Sequence, residues 1–444
     1  MKRIKLSQKP IYIPSKDHED IYELFLKIEE EFSSCFFYES LGQDQEARYT
    51  ILGFDPEHIV ASDGKNFLFD DKEVPTKNPY HTLQEIMPQD KLSKKYAGGF
   101  VGYMGYDAMQ FFEPTLAIRK HPLFQTFMFG VYTDGVIYDK VTGELTYFYY
   151  DTNRLQKILD VLQKPLRKRK ISVFLKPQNI TKEEHAKMIA SVKEEILAGN
   201  TFQAQIGLQQ EFTNTGDAAV LYDRLRRVNP SPFMYYLKFG ETKIIGASPE
   251  LLFGMKDKEM QTFPLAGTIQ RGSSLRDDKE LAHKLLTDRK ELAEHSMLVD
   301  LHRNDMGKIA RFGSVKVRSL MDIKRFSHVQ HISSEVVGLL RPGEDMFSGL
   351  AANFPAGTVT GAPKIESMKI IEKLEKAPRG PYAGALGHFG FNGDCTFAIP
   401  IRTIFMSGNY GFTQASSGIV ADSRAENEYE EIQRKLAAIK EVLV

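Results

Sequence analysis

The stretch D-R-K-E-L-A-E-H-S-M-L-V-D-L-H-R-N-D, residues 288 to 305, holds the side chains whose types and spacing are best suited to chemistry. Glu294, Met297, Leu298 and Leu301 recur at i, i+3, i+4 and i+7, which on a helix sets a carboxylate at the end of an apolar, core-facing stripe. A buried carboxylate must be protonated, paired with a cation such as Lys290 or Arg303, or bound to a metal. Near the end of the chain, D-S-R-A-E-N-E-Y-E-E-I-Q-R-K (422–435) reads as a second helix, with Glu428, Glu431 and Lys435 on one face at i, i+3 and i+7. Two glutamates on separate helices, with no cysteine or histidine cluster beside them, suit Mg²⁺ better than Zn²⁺. Magnesium keeps waters and borrows an oxygen from what it binds, so an oxyanionic substrate is expected.

Three further residues can serve such a substrate. Arg402, in I-P-I-R-T, lies in a predicted apolar strand, where its guanidinium either grips a carboxylate bidentately or pairs with a structural acid; the strand pattern leaves both open. Pro400 just before it predicts an edge or a bulge. Glu250 follows Ser248-Pro249 at a strand end, where burial would turn its carboxyl into a general acid. His328 and His331 form H-V-Q-H, but on a strand i and i+3 face opposite ways, so joint metal ligation is not expected and a single histidine is left for proton transfer.

The elements that must position these residues alternate along the chain. F-F-Y-E-S (36–40), R-Y-T-I-L-G-F-D-P (48–56), G-V-I-Y-D (135–139) and L-T-Y-F-Y-Y (145–150) are β-branched or aromatic runs bounded by turn formers, with a helix over 21–32. The charged stretch 164–176 reads as a solvated connection between a region over 1–165 and a region over 180–444. Thr181 and Glu184 form a capping box that opens a helix with Ile189, Val192 and Ile196 on one face, ending at Gly199. K-I-I-G-A-S-P-E-L-L-F (243–253) and M-Q-T-F-P-L-A-G-T (260–268) read as paired strands, followed after the 288–305 helix by S-V-K-V-R-S-L and H-V-Q-H-I-S-S-E-V. G-T-V-T-G-A-P-K-I-E-S-M-K-I-I-E-K-L-E (357–375) reads as a loop feeding a helix.

Composition limits the class. In 444 residues, 58 basic and 58 acidic side chains cancel, which argues against nucleic acid or an anionic membrane as the main partner. Two cysteines, Cys35 and Cys395, give neither a disulfide framework nor a metal knuckle. The opening residues lack the apolar run of a secretion signal, and no run approaches the length of a membrane span, so a cytoplasmic protein is expected.

In order and spacing, A-S-P-E, P-L-A-G-T, K-E-L-A-E-H-S-M-L-V-D-L-H-R-N-D, H-V-Q-H, P-A-G-T-V-T-G-A-P-K, R-G-P-Y-A-G-A-L-G, I-R-T and G-I-V-A-D-S resemble the chorismate-utilising enzymes and, among them, the anthranilate synthase component I branch. The resemblance implies an α+β fold of antiparallel sheets sandwiched between helices, with the two regions able to share one architecture. It implies that Glu294 and Glu431 hold Mg²⁺, that Gly267, Thr268, Tyr382, Arg402, Ser416, Ser417 and Gly418 grip the carboxylates of chorismate, and that Lys435 supports the metal end. Glu250 matches the acid that protonates the departing C4 hydroxyl, and His331 the histidine linked to pyruvate loss. The implied reaction is addition of ammonia at C2, then pyruvate elimination to anthranilate, the first step of tryptophan biosynthesis.

The nucleophile follows from two positions. Gln203 stands where relatives that add water carry a lysine base, and Ala266 where relatives that make 4-amino-4-deoxychorismate carry a lysine nucleophile. Aminodeoxychorismate synthase component I and an enzyme halting at 2-amino-2-deoxyisochorismate remain the alternatives. Neither cysteine sits in a Gly-x-Cys-x-Gly context, so ammonia is expected from a glutamine amidotransferase subunit in a hetero-oligomer. Y-E-S (38–40) and N-P-S-P-F-M-Y-Y-L (229–237) resemble a tryptophan feedback site lined by Glu39, Ser40, Pro232, Phe233 and Met234. Ser416-Ser417 departs from the Gly-Ala usual there.

Overall fold

The structure, a computed structural model, describes residues 3–15, 20–41, 48–325 and 329–444. The strand Phe233–Phe239 explains its layering. Side chains on a strand alternate between faces. Here Met234 and Tyr236 enter one apolar cluster while Tyr235, Leu237 and Phe239 enter another, so the strand is covered on both sides. It sits mid-way across a 12-stranded sheet.

That first sheet runs Ile11–Pro14, Glu144–Tyr149, Asp134–Asp139, Tyr49–Phe54, Ser34–Glu39, Phe233–Phe239, Thr242–Ser248, Thr403–Ser407, Tyr410–Ile419, Gln203–Gly216 and Ile171–Leu175, with Gly361–Ala362 beside Gln203–Gly216. The second, also of 12 strands, runs Leu265–Gln270, Val329–Leu339, Glu259–Thr262, Leu251–Lys256, Cys395–Ala398, Ala385–Gly390, Gly99–Met104, Phe127–Tyr132, His58–Ser62, Phe67–Phe69 and Lys72–Val74, with Lys316–Arg325 on Val329–Leu339. Neighbouring strands are antiparallel. The largest apolar cluster joins the two sheets, and helices cover their outer faces, giving the expected sheets between helices. Residues below 165 and above 180 interleave in both sheets.

Several elements differ from the reading of the sequence. Within the charged connection, Ile171–Leu175 is an edge strand on Gln203–Gly216, its β-branched residues outweighing the flanking charge. The run 243–253 is not one strand, and it does not pair as a unit with 260–268. Pro249 lacks the N–H a ladder needs, so the chain breaks there: Thr242–Ser248 belongs to the first sheet and Leu251–Lys256 to the second. The final helix spans Ala425–Leu443, longer than the charged segment implied. The capping box holds: Thr181 Oγ1 accepts from the Glu184 N–H and the Glu184 carboxylate from the Thr181 N–H, opening Lys182–Leu197.

Candidate active site

The break at Pro249 has a counterpart at Pro400. Cys395–Ala398 lies in the second sheet and Thr403–Ser407 in the first, so residues 399–402 form a second crossing between sheets. Arg402 is therefore not in a strand. It sits at the end of the crossing with φ +51°, a left-handed conformation strained for a side-chain-bearing residue. The two crossings are bonded together: Ser248 Oγ donates to the Ile399 carbonyl at 2.7 Å, the Ile399 N–H to the Glu250 carbonyl at 3.1 Å, and the Ala247 N–H to the Arg402 carbonyl at 3.2 Å. A general-acid candidate and a cation are thereby held at one seam.

Glu250 is 4% exposed. Burial pushes its carboxyl up to about 7, against the opposing pull of Thr358, the Leu265 N–H and the cations Lys435 and Arg402. Among the described residues the Arg402 guanidinium has no carboxylate within ion-pair distance and one hydrogen bond, from Nη2 to His331 Nε2 at 3.4 Å, and burial lowers its pKa to about 10. The structural ion pair left open by the sequence is absent there. His331, on Val329–Leu339, has Nδ1 3.0 Å from both the Gly267 carbonyl and Thr268 Oγ1. A carbonyl only accepts, so Nδ1 carries the proton and Nε2 presents its lone pair toward Arg402. Burial and the guanidinium lower His331 to about 3, which keeps the ring neutral. His328 lies outside the described residues.

Gly267 and Thr268 reach His331 because Leu265–Gln270 bulges between Ala266 and Thr268, with Gly267 at φ +64°. A Cβ on Gly267 would stand 3.0 Å from Glu291 Oε2, so the bulge also touches the 289–307 helix. Across the cleft, on Tyr410–Ile419, Ser416 Oγ lies 2.9 Å from the Tyr382 hydroxyl and donates to Gln205 Oε1 at 3.3 Å. Gly418 faces the same way, where a Cβ would meet Gln203 Nε2 at 2.2 Å. Ser417 points the other way, since strand neighbours alternate, into the cluster of Ala204, Ile206, Ala415 and Ile419, and its hydroxyl has no hydrogen-bond partner. Of the two serines, only Ser416 offers the cleft a side chain.

The acidic helix is rotated from the predicted stripe. His295, Leu298, Val299, His302 and Met306 face the core, and Glu294 is half-buried at the margin. The reason is polar anchoring: His295 Nε2 meets Ser334 Oγ at 2.7 Å and His302 Nδ1 meets Thr262 Oγ1 at 2.8 Å, which lets two histidines occupy the inward face. Lys290, not Arg303, is the cation near Glu294, at 3.7 Å. Burial, with Glu291, Glu428 and Glu431, raises Glu294 to about 7 against the pull of Lys290. Glu428 belongs to this group as its place on one face with Glu431 implied, whereas Glu291 was missed, although it is three residues from Glu294. Glu428 accepts from Ser423 Oγ at 2.8 Å; Glu431 pairs with Lys435 at 2.7 Å, and Lys435 donates to the Ser416 carbonyl at 2.8 Å. Among the described residues no three acidic, imidazole or thiol groups come together as a set that could hold a metal ion by themselves, so the carboxylates here are a looser, open group. An open, all-oxygen group of this kind fits a hard divalent ion that keeps waters, as Mg²⁺ does.

A chorismate binding enzyme family profile matches residues 33–441. This chain belongs to the chorismate-binding enzymes. It is 50% identical to anthranilate synthase component 1 of Leptospira biflexa over 99% of its own length and 97% of that protein, and 42% identical to anthranilate synthase component 1 of Methanothermobacter thermautotrophicus over 95% and 92%. Its fold superimposes on the crystal structure of anthranilate synthase component I from Streptococcus pneumoniae TIGR4 with a TM-score of 0.81, at 32% identity over 89% of this chain and 93% of that one.

This chorismate-binding enzyme carries a concavity between its sheets, away from Glu250 and Arg402. A cavity of about 730 Å³ is lined by Glu39, Ser40, Pro232, Phe233 and Met234, with Tyr38, Tyr96, His388 and Thr396. Phe233 packs toward the inter-sheet core, whereas Met234 lies on the helix side. Glu39 contributes no free carboxylate: Arg226 binds it at 2.6 and 3.0 Å and the Tyr222 hydroxyl at 2.8 Å. Phe233 is the register partner of Ser248, which joins this cavity to the seam below Glu250. No helix among the described residues is long and apolar enough to cross a membrane.

Proposed function

We propose that the cleft converts chorismate and ammonia to anthranilate and pyruvate, as the large component of an anthranilate synthase of the cytoplasm. The observation that carries this reading is the pair at the seam: a buried guanidinium without a structural carboxylate partner beside a carboxyl that keeps its proton near neutrality. Arg402 receives a substrate carboxylate through its remaining N–H donors. Tyr382, the backbone at Gly418 and Lys435 complete the polar wall. Glu250 donates its proton to the departing C4 hydroxyl, turning it into water as ammonia attacks C2. His331, neutral and held by Gly267 and Thr268 with Nε2 inward, then takes the C2 proton as pyruvate leaves and the ring becomes aromatic.

Glu294 and Glu431 would hold Mg²⁺, with Glu291 and Glu428 beside them. Bound there, the ion supplies positive charge for a substrate carboxylate. Ala266 has no amine to attack C4, which favours anthranilate over 4-amino-4-deoxychorismate. Ammonia comes from a glutamine amidotransferase partner, and the 730 Å³ cavity is the tryptophan feedback site. The test is turnover of chorismate with Mg²⁺ and ammonium at alkaline pH, followed by anthranilate fluorescence. Activity lost on chelation and regained with Mg²⁺ is expected; a product without that fluorescence rejects the reading.

A further inference from the structure

The wall behind the cleft contains a charge pair that no step above uses. Glu375, the residue after the Lys364–Leu374 helix, and Arg379 are joined Nε to Oε2 at 2.9 Å and Nη2 to Oε1 at 2.7 Å, with side chains only 4% and 2% exposed. Arg379 also donates from Nη1 to the Val359 carbonyl at 2.7 Å and from Nη2 to the Gln205 carbonyl at 2.8 Å. Its guanidinium lies 4.6 Å from the Tyr106 ring centre and 5.7 Å from that of Tyr382. Glu375 accepts from the Gly207 N–H at 2.9 Å and from Gln414 Nε2 at 3.3 Å.

Two of these contacts, at Val359 and Gln205, end one step from the residues of the site. Val359 follows Thr358, which stands beside the Glu250 carboxyl. Gln205 receives the Ser416 hydroxyl, and Ser416 meets the Tyr382 hydroxyl. A buried ion pair is often no more stabilising than apolar residues of similar volume, because desolvation offsets the attraction. Stability therefore does not account for a pair sealed in this wall, whereas a planar fork that fixes two carbonyls and a ring in one geometry does.

We infer that Glu375 and Arg379 are the positioning residues of the cleft: without touching substrate, they set Tyr382, the turn over 357–360 and the strand at Gln205 in register with one another. This rests on the reading of the cleft as the chorismate site. The experiment measures thermal midpoint, kcat, and KM for chorismate and for ammonium in the wild type, in Arg379→Lys and in the double variant Glu375→Met with Arg379→Met. Arg379→Lys keeps the charge but loses the fork, and a raised KM for chorismate is expected, with kcat/KM down by about 10²-fold from misplacement of the reacting groups. The double variant is expected to keep a midpoint near that of the wild type and still show the raised KM for chorismate, with KM for ammonium unmoved. A double variant with both midpoint and KM for chorismate restored overturns the inference. If the double variant does not fold, Arg379→Lys with wild-type kinetics overturns it equally. A wild type that makes no anthranilate counts against the chorismate reading and leaves a different signature from an active wild type with active variants.

Discussion

Ser248 Oγ donates to the Ile399 carbonyl at 2.7 Å, and through that bond the crossing that bears Glu250 is fastened to the crossing that bears Arg402. Each crossing is made by a proline that ends a ladder, so neither acid nor cation is held by sheet pairing alone. Ser248 is fully buried, and its removal takes the acceptor from the buried Glu250 N–H at 3.3 Å and one of two donors from the Ile399 carbonyl, which keeps the Ile401 N–H at 2.8 Å. Ser248→Ala should destabilise the fold by about 1–3 kcal/mol and lower kcat/KM for chorismate by about 10–100-fold. A thermal melt and initial rates check both; an unchanged kcat/KM would show that the seam does not set the acid and the cation.

Glu250→Gln removes the proton donor and should lower kcat by about 10²–10⁴-fold. The pH dependence of stability has a defined sign. The folded carboxyl titrates near 7, above the ordinary glutamate value of about 4.3, so the folded chain binds this proton more tightly than the unfolded one. The site's contribution is most favourable to folding at low pH and declines as pH rises from the ordinary glutamate range through about 7. Glutamine carries no such proton. The midpoint of Glu250→Gln relative to wild type should therefore rise between about pH 5 and pH 8; a constant difference would mean that the carboxyl is already ionised.

The adjacent serines should separate by readout. Ser417 buries a hydroxyl with no partner in an apolar cluster, so Ser417→Ala should stabilise the chain by up to about 1 kcal/mol and leave kinetics alone. Ser416→Ala takes a partner from the Tyr382 hydroxyl and should raise KM for chorismate with little change in midpoint. Melting curves and KM values for the two variants test this; the reverse assignment would mean that Ser417 faces substrate.

Tryptophan should bind the inter-sheet cavity. Calorimetry should give heat with the wild type and none with Ser40→Phe, whose ring would intrude on the wall. No heat from the wild type would reject an effector role for the cavity.

How much of this was legible depended on distance along the chain. Strands such as Ser34–Glu39 and Asp134–Asp139 and the Thr181 capping box follow from local rules, and the structure contains them. The rotation of the Arg289–Gly307 helix was not legible, because the pull on His295 and His302 comes from Ser334 and Thr262, which only the fold brings near. The same holds for Arg402. The pattern I-P-I-R-T gives a strand, and only the switch between sheets reveals why the proline is there. Glu375 and Arg379, four residues apart, look like an ordinary helix-end pair until the carbonyls of Val359, on a turn, and Gln205, on a strand, close around them.

The most direct test of the central claim is the identity of the nitrogen-containing product formed from chorismate and nitrogen-15-labelled ammonium in the presence of Mg²⁺. Labelled anthranilate in equal amount to pyruvate is predicted, with both lost in Glu250→Gln. Labelled 4-amino-4-deoxychorismate, with no pyruvate released, would contradict the assignment of attack to C2 and with it the reading of Ala266.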